Sequence, residues 1–235
     1  MQGEKRQALP PRHELKYYIN PGELEALRAR LYPVLRLDAH CENGPYAVRS
    51  LYFDDAYDRA YHDKLGGVMN RDKYRIRIYN NTDRQIFLER KRKTGDRISK
   101  SSVQITRRLC ERLIAGDPWG LHGASNPLLR EVFVAMRTQL LRPRVIVEYA
   151  REAYTHPVEN VRITLDMHLR SGLSSIALFD PDIPMVSPLN RDVEILEIKF
   201  DRYLPDYIAG LLVGLDAERS AISKYVLCRR YEPLQ

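Results

Sequence analysis

Residues 73 to 79, Lys-Tyr-Arg-Ile-Arg-Ile-Tyr, and residues 85 to 93, Gln-Ile-Phe-Leu-Glu-Arg-Lys-Arg-Lys, each alternate with a period of two. Asn80, Asn81 and Asp83 supply turn chemistry between them, so the pair predicts an antiparallel hairpin. Ile76 and Ile78 fall on one face and Lys73, Arg75 and Arg77 on the other; in the second strand Ile86 and Leu88 oppose Glu89, Lys91 and Lys93. A face this rich in cations is either a solvated exterior or the lining of a polar cavity.

The same alternation predicts strands over 12–19, 46–54, 98–106, 144–151, 161–169 and 195–200. Helices interrupt them. Asn20 and Pro21 open one that carries Leu24, Leu27 and Leu31 and ends at Pro33. Tyr57, Tyr61 and Leu65 mark a short one stopped by Gly66 and Gly67. Leu109 and Leu113 mark a third, and Asn126 and Pro127 start a fourth with the stripe Leu129, Val132, Phe133, Met136 and Leu140. Pro205 begins a fifth with Ile208, Leu211 and Leu212. Residues 171–191, with Pro181, Pro184 and Pro188, read as a loop, and Ser223, Lys224 and Tyr225 precede an apolar turn. About eight strands with moderate connections predict an α+β fold, an antiparallel β-barrel or strongly curved sheet. In such a barrel the interior positions can be polar, which leaves the apolar faces to pack outward under the helices.

Composition narrows the partners. The 235 residues suit one domain, 12–235, behind a polar N-terminal tail, 1–11, expected to be flexible. A net charge of +7 draws the chain to anions: nucleic acid, anionic lipid or a phosphorylated small molecule. Cys41, Cys110 and Cys228 lack the spacing of a zinc site and read as buried thiols of a reducing compartment. No apolar run has the length of a signal peptide or a transmembrane helix, so a cytoplasmic protein is expected.

Collected across strands, the polar faces bring Glu14, Lys16, Arg75, Arg77, Glu89, Lys91, Lys100, Arg151, Arg162, Asp166, Glu197 and Lys199 to one side. Singly, each reads as a solvated surface charge. Together they repel one another unless a polyanion neutralises them. Arginine grips phosphate oxygens through paired hydrogen bonds and lysine adds point charge. The few carboxylates suit a hard divalent cation, Mg²⁺ or Mn²⁺, shared with phosphate oxygens.

These residues also carry a family resemblance. Glu-Leu-Lys-Tyr at 14–17, Ser-Leu-Tyr-Phe-Asp at 50–54, Lys-Tyr-Arg-Ile-Arg at 73–77, Leu-Glu-Arg-Lys at 88–91, Tyr-Ala-Arg-Glu-Ala-Tyr at 149–154, Val-Arg-Ile-Thr-Leu-Asp at 161–166, Leu-Glu-Ile-Lys at 196–199 and Ser-Lys-Tyr at 223–225 occur in one order over nearly the whole chain. Together they resemble the vacuolar transporter chaperone (VTC) domain, the polyphosphate polymerase branch of the triphosphate tunnel metalloenzymes (CYTH-like). The resemblance implies a barrel forming a basic tunnel, in which ATP donates its γ-phosphoryl group to a growing polyphosphate chain with Mn²⁺ or Mg²⁺. It assigns Lys16, Arg75, Arg77, Lys91, Arg151, Arg162 and Lys224 to phosphate binding and Glu197 to the metal. Among these, Arg75, Arg77, Lys91, Arg151 and Lys224 are expected to act on the transferring group. The polar-face reading adds Lys100 and Lys199 to the phosphate set, and Glu14, Glu89 and Asp166 as helpers of the metal.

Two positions depart from the pattern. Sister hydrolases open with Glu-x-Glu-x-Lys, where this chain has Arg12 in place of the first glutamate. Ser102 stands where members often have a basic residue. An ionised phosphate nucleophile needs no general base, which fits the absence of a histidine with a carboxylate partner in the pattern; His168 reads as solvated or structural. Two alternatives remain at this stage: a tripolyphosphatase or nucleoside triphosphatase with Asp166 positioning water, and a non-catalytic polyphosphate or polyanion binder. Few aromatic platforms interleave the cations, which argues against nucleic acid. The sequence leaves the oligomeric state open, and any translocation of product falls to a membrane-protein partner.

Overall fold

Period-two alternation forces successive side chains to opposite faces of a strand, and nearly every strand of this chain carries a continuous apolar row. Such rows must be covered. A computed structural model describes residues 12–230 except 96, 191, 217 and 218, so the tail at 1–11 lies outside the described residues. The strands are β1 (His13–Ile19), β2 (Arg36–Leu37), β3 (Tyr46–Asp54), β4 (Arg71–Tyr79), β5 (Thr82–Thr94), β6 (Arg97–Ile105), β7 (Arg142–His156), β8 (Val161–Ser171) and β9 (Glu194–Phe200). The helices are α1 (Pro21–Leu31), α2 (Arg59–Leu65), α3 (Arg107–Ile114), α4 (Pro127–Thr138), α5 (Asp206–Gly210) and α6 (Lys224–Arg229).

Eight strands form an antiparallel sheet in the order β1-β9-β8-β7-β3-β4-β5-β6, and β2 adds two residues beside β7. The sheet curls into a half-barrel with helices outside. No ladder joins β1 to β6 among the described residues; instead Glu14 of β1 reaches Lys91 of β5 at 2.6 Å across the interior. The turn of the β4–β5 hairpin places Asn80 and Asn81 at φ 50° and 52°, the left-handed pair that a tight two-residue connection requires.

Two apolar clusters lie on the outside of the curl. In one, Leu51, Ile76, Ile78, Ile86 and Leu88 meet Leu113 of α3 and Leu128, Val132 and Met136 of α4. In the other, Ile163, Leu165, Leu196 and Ile198 meet Leu24, Leu27 and Leu31 of α1 and Ile208 of α5. Asn20 caps α1 through the Glu23 amide, and Glu23 answers at the Asn20 amide, which fixes where the helix starts. The α4 stripe is shifted from its sequence reading. Leu128, Val132, Ala135 and Met136 are buried, whereas Leu140 stands past the helix end at φ 53° and is exposed, with Leu141 taking the buried place.

A third cluster, not anticipated by the alternation, fills part of the interior. Val48, Tyr52, Val145, Val147, Tyr149 and Ile195 point inward and pack against Tyr225, Val226 and Cys228 of α6. The segment read as an apolar turn after Ser223 is therefore this helix, capped by the Ser223 hydroxyl, which accepts from the Val226 amide. Leu169 joins the same interior cluster although Val161, Ile163, Leu165 and Met167 face outward. His168, at φ 55°, sits where the β7–β8 register shifts, and a bulge of this kind inverts the face that follows. Truncation of Leu27, fully buried on the inner face of α1, to alanine is expected to lower unfolding stability by about 2–5 kcal/mol, read from the midpoint of a urea titration.

Candidate functional site

The inward rows of the strands converge. Register places Lys73 opposite Lys91 and Lys91 opposite Lys100, so three lysines cross β4, β5 and β6 side by side. One row further along, Arg75 lies opposite Glu89. From the other side of the curl, Glu197 stands opposite Lys16, and Arg162 opposite Lys199. Helix α6 supplies Lys224, whose ammonium lies 2.6 Å from Asp166.

Within this interior every carboxylate is shared among cations. Glu89 accepts from Arg75 Nε at 2.7 Å, and Lys100 Nζ lies 2.5 Å from it. Asp166 accepts both arms of Arg151, at 2.6 and 2.8 Å, as well as meeting Lys224. Glu14 lies between Lys16 at 3.0 Å and Lys91 at 2.6 Å, and Glu197 binds Lys199 at 2.7 Å with Arg151 at 3.8 Å. The basic side chains still outnumber the carboxylates. Among the described residues Arg77 donates only to neutral oxygens, Ser50 Oγ at 3.1 Å and the Tyr149 hydroxyl at 3.2 Å. Lys73 donates to Ser223 Oγ at 2.9 Å and lies over the Tyr225 ring.

Electrostatics follow from this crowding. Burial raises the cost of charge on Asp166, but Arg151 and Lys224 overcome it and hold its carboxyl down at about 2. Burial likewise opposes ionisation of Glu89, which Arg75 and Arg77 pull far below the usual carboxylate range. Glu197 is held low by Lys199 and Lys16 against burial. Lys91 runs the other way: burial, with repulsion from Lys16, brings it down to about 8 against the pull of Glu14. Lys100 is lowered to about 8 by burial and by Arg75 and Arg77, against Glu89. Lys73 is pushed well below the ordinary lysine value by burial and then by Lys16, Lys91, Lys64 and Arg71.

Every site residue singled out in the sequence thus reaches the interior except Arg162, which sits toward the rim, paired with Asp38 and donating to the Tyr46 hydroxyl at 3.5 Å. Among the carboxylates offered for a metal, Glu14 and Glu197 lie side by side within hydrogen-bond reach. Glu14 Oε1 is buried and faces the Lys16 ammonium at 3.0 Å. Glu89 and Asp166 spend their oxygens on cations, as Glu14 and Glu197 also do, but Glu14 and Glu197 in addition adjoin each other. Among the described residues no group of three or more Asp, Glu, His or Cys side chains is arranged to hold a metal. A hard divalent ion that takes one or two carboxylates and completes its shell with water and phosphate oxygens fits the Glu14–Glu197 pair.

His168 points away, with its side chain 77% exposed and 3.5 Å from Glu194. Arg12 turns to Asp201 at 3.1 Å, outside the interior, and Ser102 offers its hydroxyl to Glu89 at 3.4 Å. Sequence reasoning missed the residues that orient the arginines: Tyr52, whose hydroxyl accepts from Arg75 at 2.9 Å, and Tyr149 and Ser50 at Arg77. Their signal was present, since Ser50 and Tyr52 share one parity in β3 and Tyr149 lies two residues before Arg151. Lys73 shares the parity of Arg75, and the structure adds it to the interior set.

Asp166→Asn is expected to cost about 3–5 kcal/mol by leaving Arg151 and Lys224 buried with a weakened partner, measured by denaturant unfolding at neutral pH. The folded carboxyl lies below the ordinary value of 3.8, so its contribution is complete above that value. It is lost as pH falls towards about 2, and the gap between wild type and variant should narrow over that window.

None of the curated protein sequences compared with the chain matches it. Among solved structures, a putative adenylyl cyclase from Hippeastrum, described as having a dominant triphosphatase activity, is similar over 95% of this chain and 99% of its own, with 17% identity and a TM-score of 0.57. A putative adenylate cyclase from Bacillus halodurans aligns over 86% and 85% of the two chains with 14% identity and a TM-score of 0.49. At such identity the Hippeastrum likeness speaks to the fold alone. The sequence pattern of the VTC domain matches residues 11–231, nearly the whole of the chain and every motif quoted above, and the chain belongs to the VTC domain family.

Proposed function

We propose that the chain is a metal-dependent polyphosphate polymerase, which moves the γ-phosphoryl group of ATP onto the end of a growing inorganic polyphosphate. The observation that supports this reading most is the convergence of basic side chains from both flanks of the curled sheet and from α6 on one interior, in excess over the carboxylates there. A chain of phosphates is the ligand that neutralises such a row. Phosphoryl transfer asks little covalent chemistry of a protein and depends on positioning and charge neutralisation.

In this reading Arg75, Arg77, Lys91, Arg151 and Lys224 spread over the transferring group and its neighbours, and Lys16, Lys100 and Lys199 hold flanking phosphates, with Arg162 at the rim. The terminal oxygen of the acceptor forms the new bond to the γ-phosphorus while the bond to ADP breaks, and the already ionised nucleophile gives up no proton. Glu197 and Glu14 would hold Mn²⁺ or Mg²⁺, which neutralises phosphate oxygens when bound. A hydrolase would need Asp166 to position water, yet both of its oxygens are taken by Arg151 and Lys224. Cys41, Cys110 and Cys228 are buried, as suits thiols of a protein of the cytoplasm. No helix of the described residues is long and apolar enough to cross a membrane.

Purified protein given ATP and Mn²⁺ should yield a ladder of polyphosphates when products are resolved by length, and release of phosphate without chain growth would refute the polymerase. Arg75→Glu should reduce turnover by about 100-fold or more, as expected when a donor to developing charge is removed. Binding should also depend on pH. A bound polyanion favours protonated Lys91 and Lys100, which lie at about 8 in the free protein, so tripolyphosphate binding should take up protons near pH 8 and weaken as pH rises beyond it. Calorimetry in buffers of different ionisation enthalpy measures that uptake directly.

A further inference from the structure

Eight lysines lie among the described residues, and they differ in their company. Lys16 and Lys91 share Glu14, Lys100 meets Glu89, Lys199 meets Glu197 and Lys224 meets Asp166. Lys64, Lys73 and Lys93 have no carboxylate partner among the described residues. Of these three, Lys73 sits in the row of Lys91 and Lys100. The charges it feels most are Lys16 from β1, Lys91 from β5, Lys64 from α2 and Arg71 from its own strand, all of them positive. Helix α6 offers it the Ser223 hydroxyl at 2.9 Å and the face of the Tyr225 ring, whose own hydroxyl is turned to Asp54.

An amine in such surroundings is a nucleophile. Burial and the four neighbouring cations hold it well below the ordinary lysine value, which frees its lone pair over a wider pH range than an exposed lysine has. What it gains by reacting depends on the charge it is left with. An aldehyde leaves an imine whose nitrogen can still be protonated, and an acyl donor leaves a neutral amide. Carbon dioxide leaves an anion: an N–C bond forms, one C–O π pair moves onto oxygen, and one amine proton goes to solvent. Beside Lys16, Lys64, Arg71 and Lys91 that product turns repulsions into attractions. The Ser223 hydroxyl accepts from Lys73 and from the Val226 amide, and keeps its own proton to donate to a carbamate oxygen. Carbon dioxide itself is small and uncharged, so the cations do not oppose its entry.

We infer that Lys73 is a modification site, at which carbon dioxide adds reversibly to the side-chain amine, and that the carbamate so formed occupies cations that a polyanion needs. The second half rests on the phosphate-binding reading of the interior and adds a regulator to it. Carbamate and polyanion oppose one another, and by reciprocity each weakens the other by the same factor.

The test traps the carbamate. Protein equilibrated at neutral pH with isotopically labelled carbon dioxide and bicarbonate is alkylated with triethyloxonium ion, digested and mapped by mass spectrometry. An ethyl carbamate is expected at Lys73 and not at Lys16, and excess tripolyphosphate should abolish it. Lys73→Arg keeps the charge without the reactivity. In calorimetry at matched pH and ionic strength, carbon dioxide should weaken tripolyphosphate binding several-fold in the unmodified protein and leave Lys73→Arg unaffected. Absence of the adduct at Lys73, or labelling of Lys16 to the same extent, overturns the site. Equal weakening in the two proteins, or none in either, overturns the regulation; equal weakening means that bicarbonate competes as a free ion. If the protein free of carbon dioxide does not bind tripolyphosphate, or Arg75→Glu binds it equally well, the tunnel reading fails and takes the regulation with it, while a carbamate trapped on Lys73 still establishes the site.

Discussion

The structure depends on a charge imbalance held inside a sheet. Glu14, Glu89, Asp166 and Glu197 are each surrounded by lysines and arginines, and the cations left over donate to hydroxyls or lie on aromatic rings. A buried ion pair seldom adds net stability, because desolvating two charges offsets their attraction. An interior built this way is retained at a cost in stability that the outer clusters must cover. The polar interior thus explains why the apolar faces, and the helices that cover them, lie outside.

That inversion orders the rest of the fold. Helices α1, α3, α4 and α5 pack on the convex side, where they face Leu, Ile and Val from the outward rows. Helix α6 lies on the concave side instead, and is tied down by polar contacts: Arg229 holds both oxygens of Asp58 at 2.9 Å, and the Tyr225 hydroxyl donates to Asp54 at 2.5 Å. Asp54 in turn accepts the amides of Ala60 and Tyr61 in the first turn of α2. One buried network therefore fixes the two helices at this end of the sheet and, through α6, the position of Lys224 over Asp166.

Much of this was legible in the sequence because the two-residue period is unforgiving: a strand with Arg75 and Arg77 on one face and Ile76 and Ile78 on the other has one way to bury the isoleucines. The inward direction of Lys16, Lys91, Arg151 and Glu197 follows from the same rule applied strand by strand. What escaped it were places where the local pattern gives no instruction. The helix at 224–229 is too short to show a periodic stripe, and its apolar residues read equally well as a turn. Leu169 reads as continuing the row of Leu165 and Met167, and only the left-handed backbone of His168 turns it inward. Leu140 fits the helical spacing of Met136 and Phe133, yet the helix has ended before it. The tyrosines that steady Arg75 and Arg77 have the right parity, but parity does not say which hydroxyl a guanidinium will find across the sheet.

The half-barrel has a seam. Because β1 and β6 share no ladder among the described residues, the concave side is bridged by side chains, Glu14 to Lys91 in particular, where a closed barrel would be sealed by rows of backbone hydrogen bonds. Separating the two flanks breaks side-chain ion pairs such as Glu14–Lys91 and leaves every strand pairing among the described residues intact. A long linear polymer held in such a cleft need not be threaded end first. On the proposed function, a seam closed by side chains would let such a chain be laid in sideways, so that its length would set no limit on how it enters or leaves.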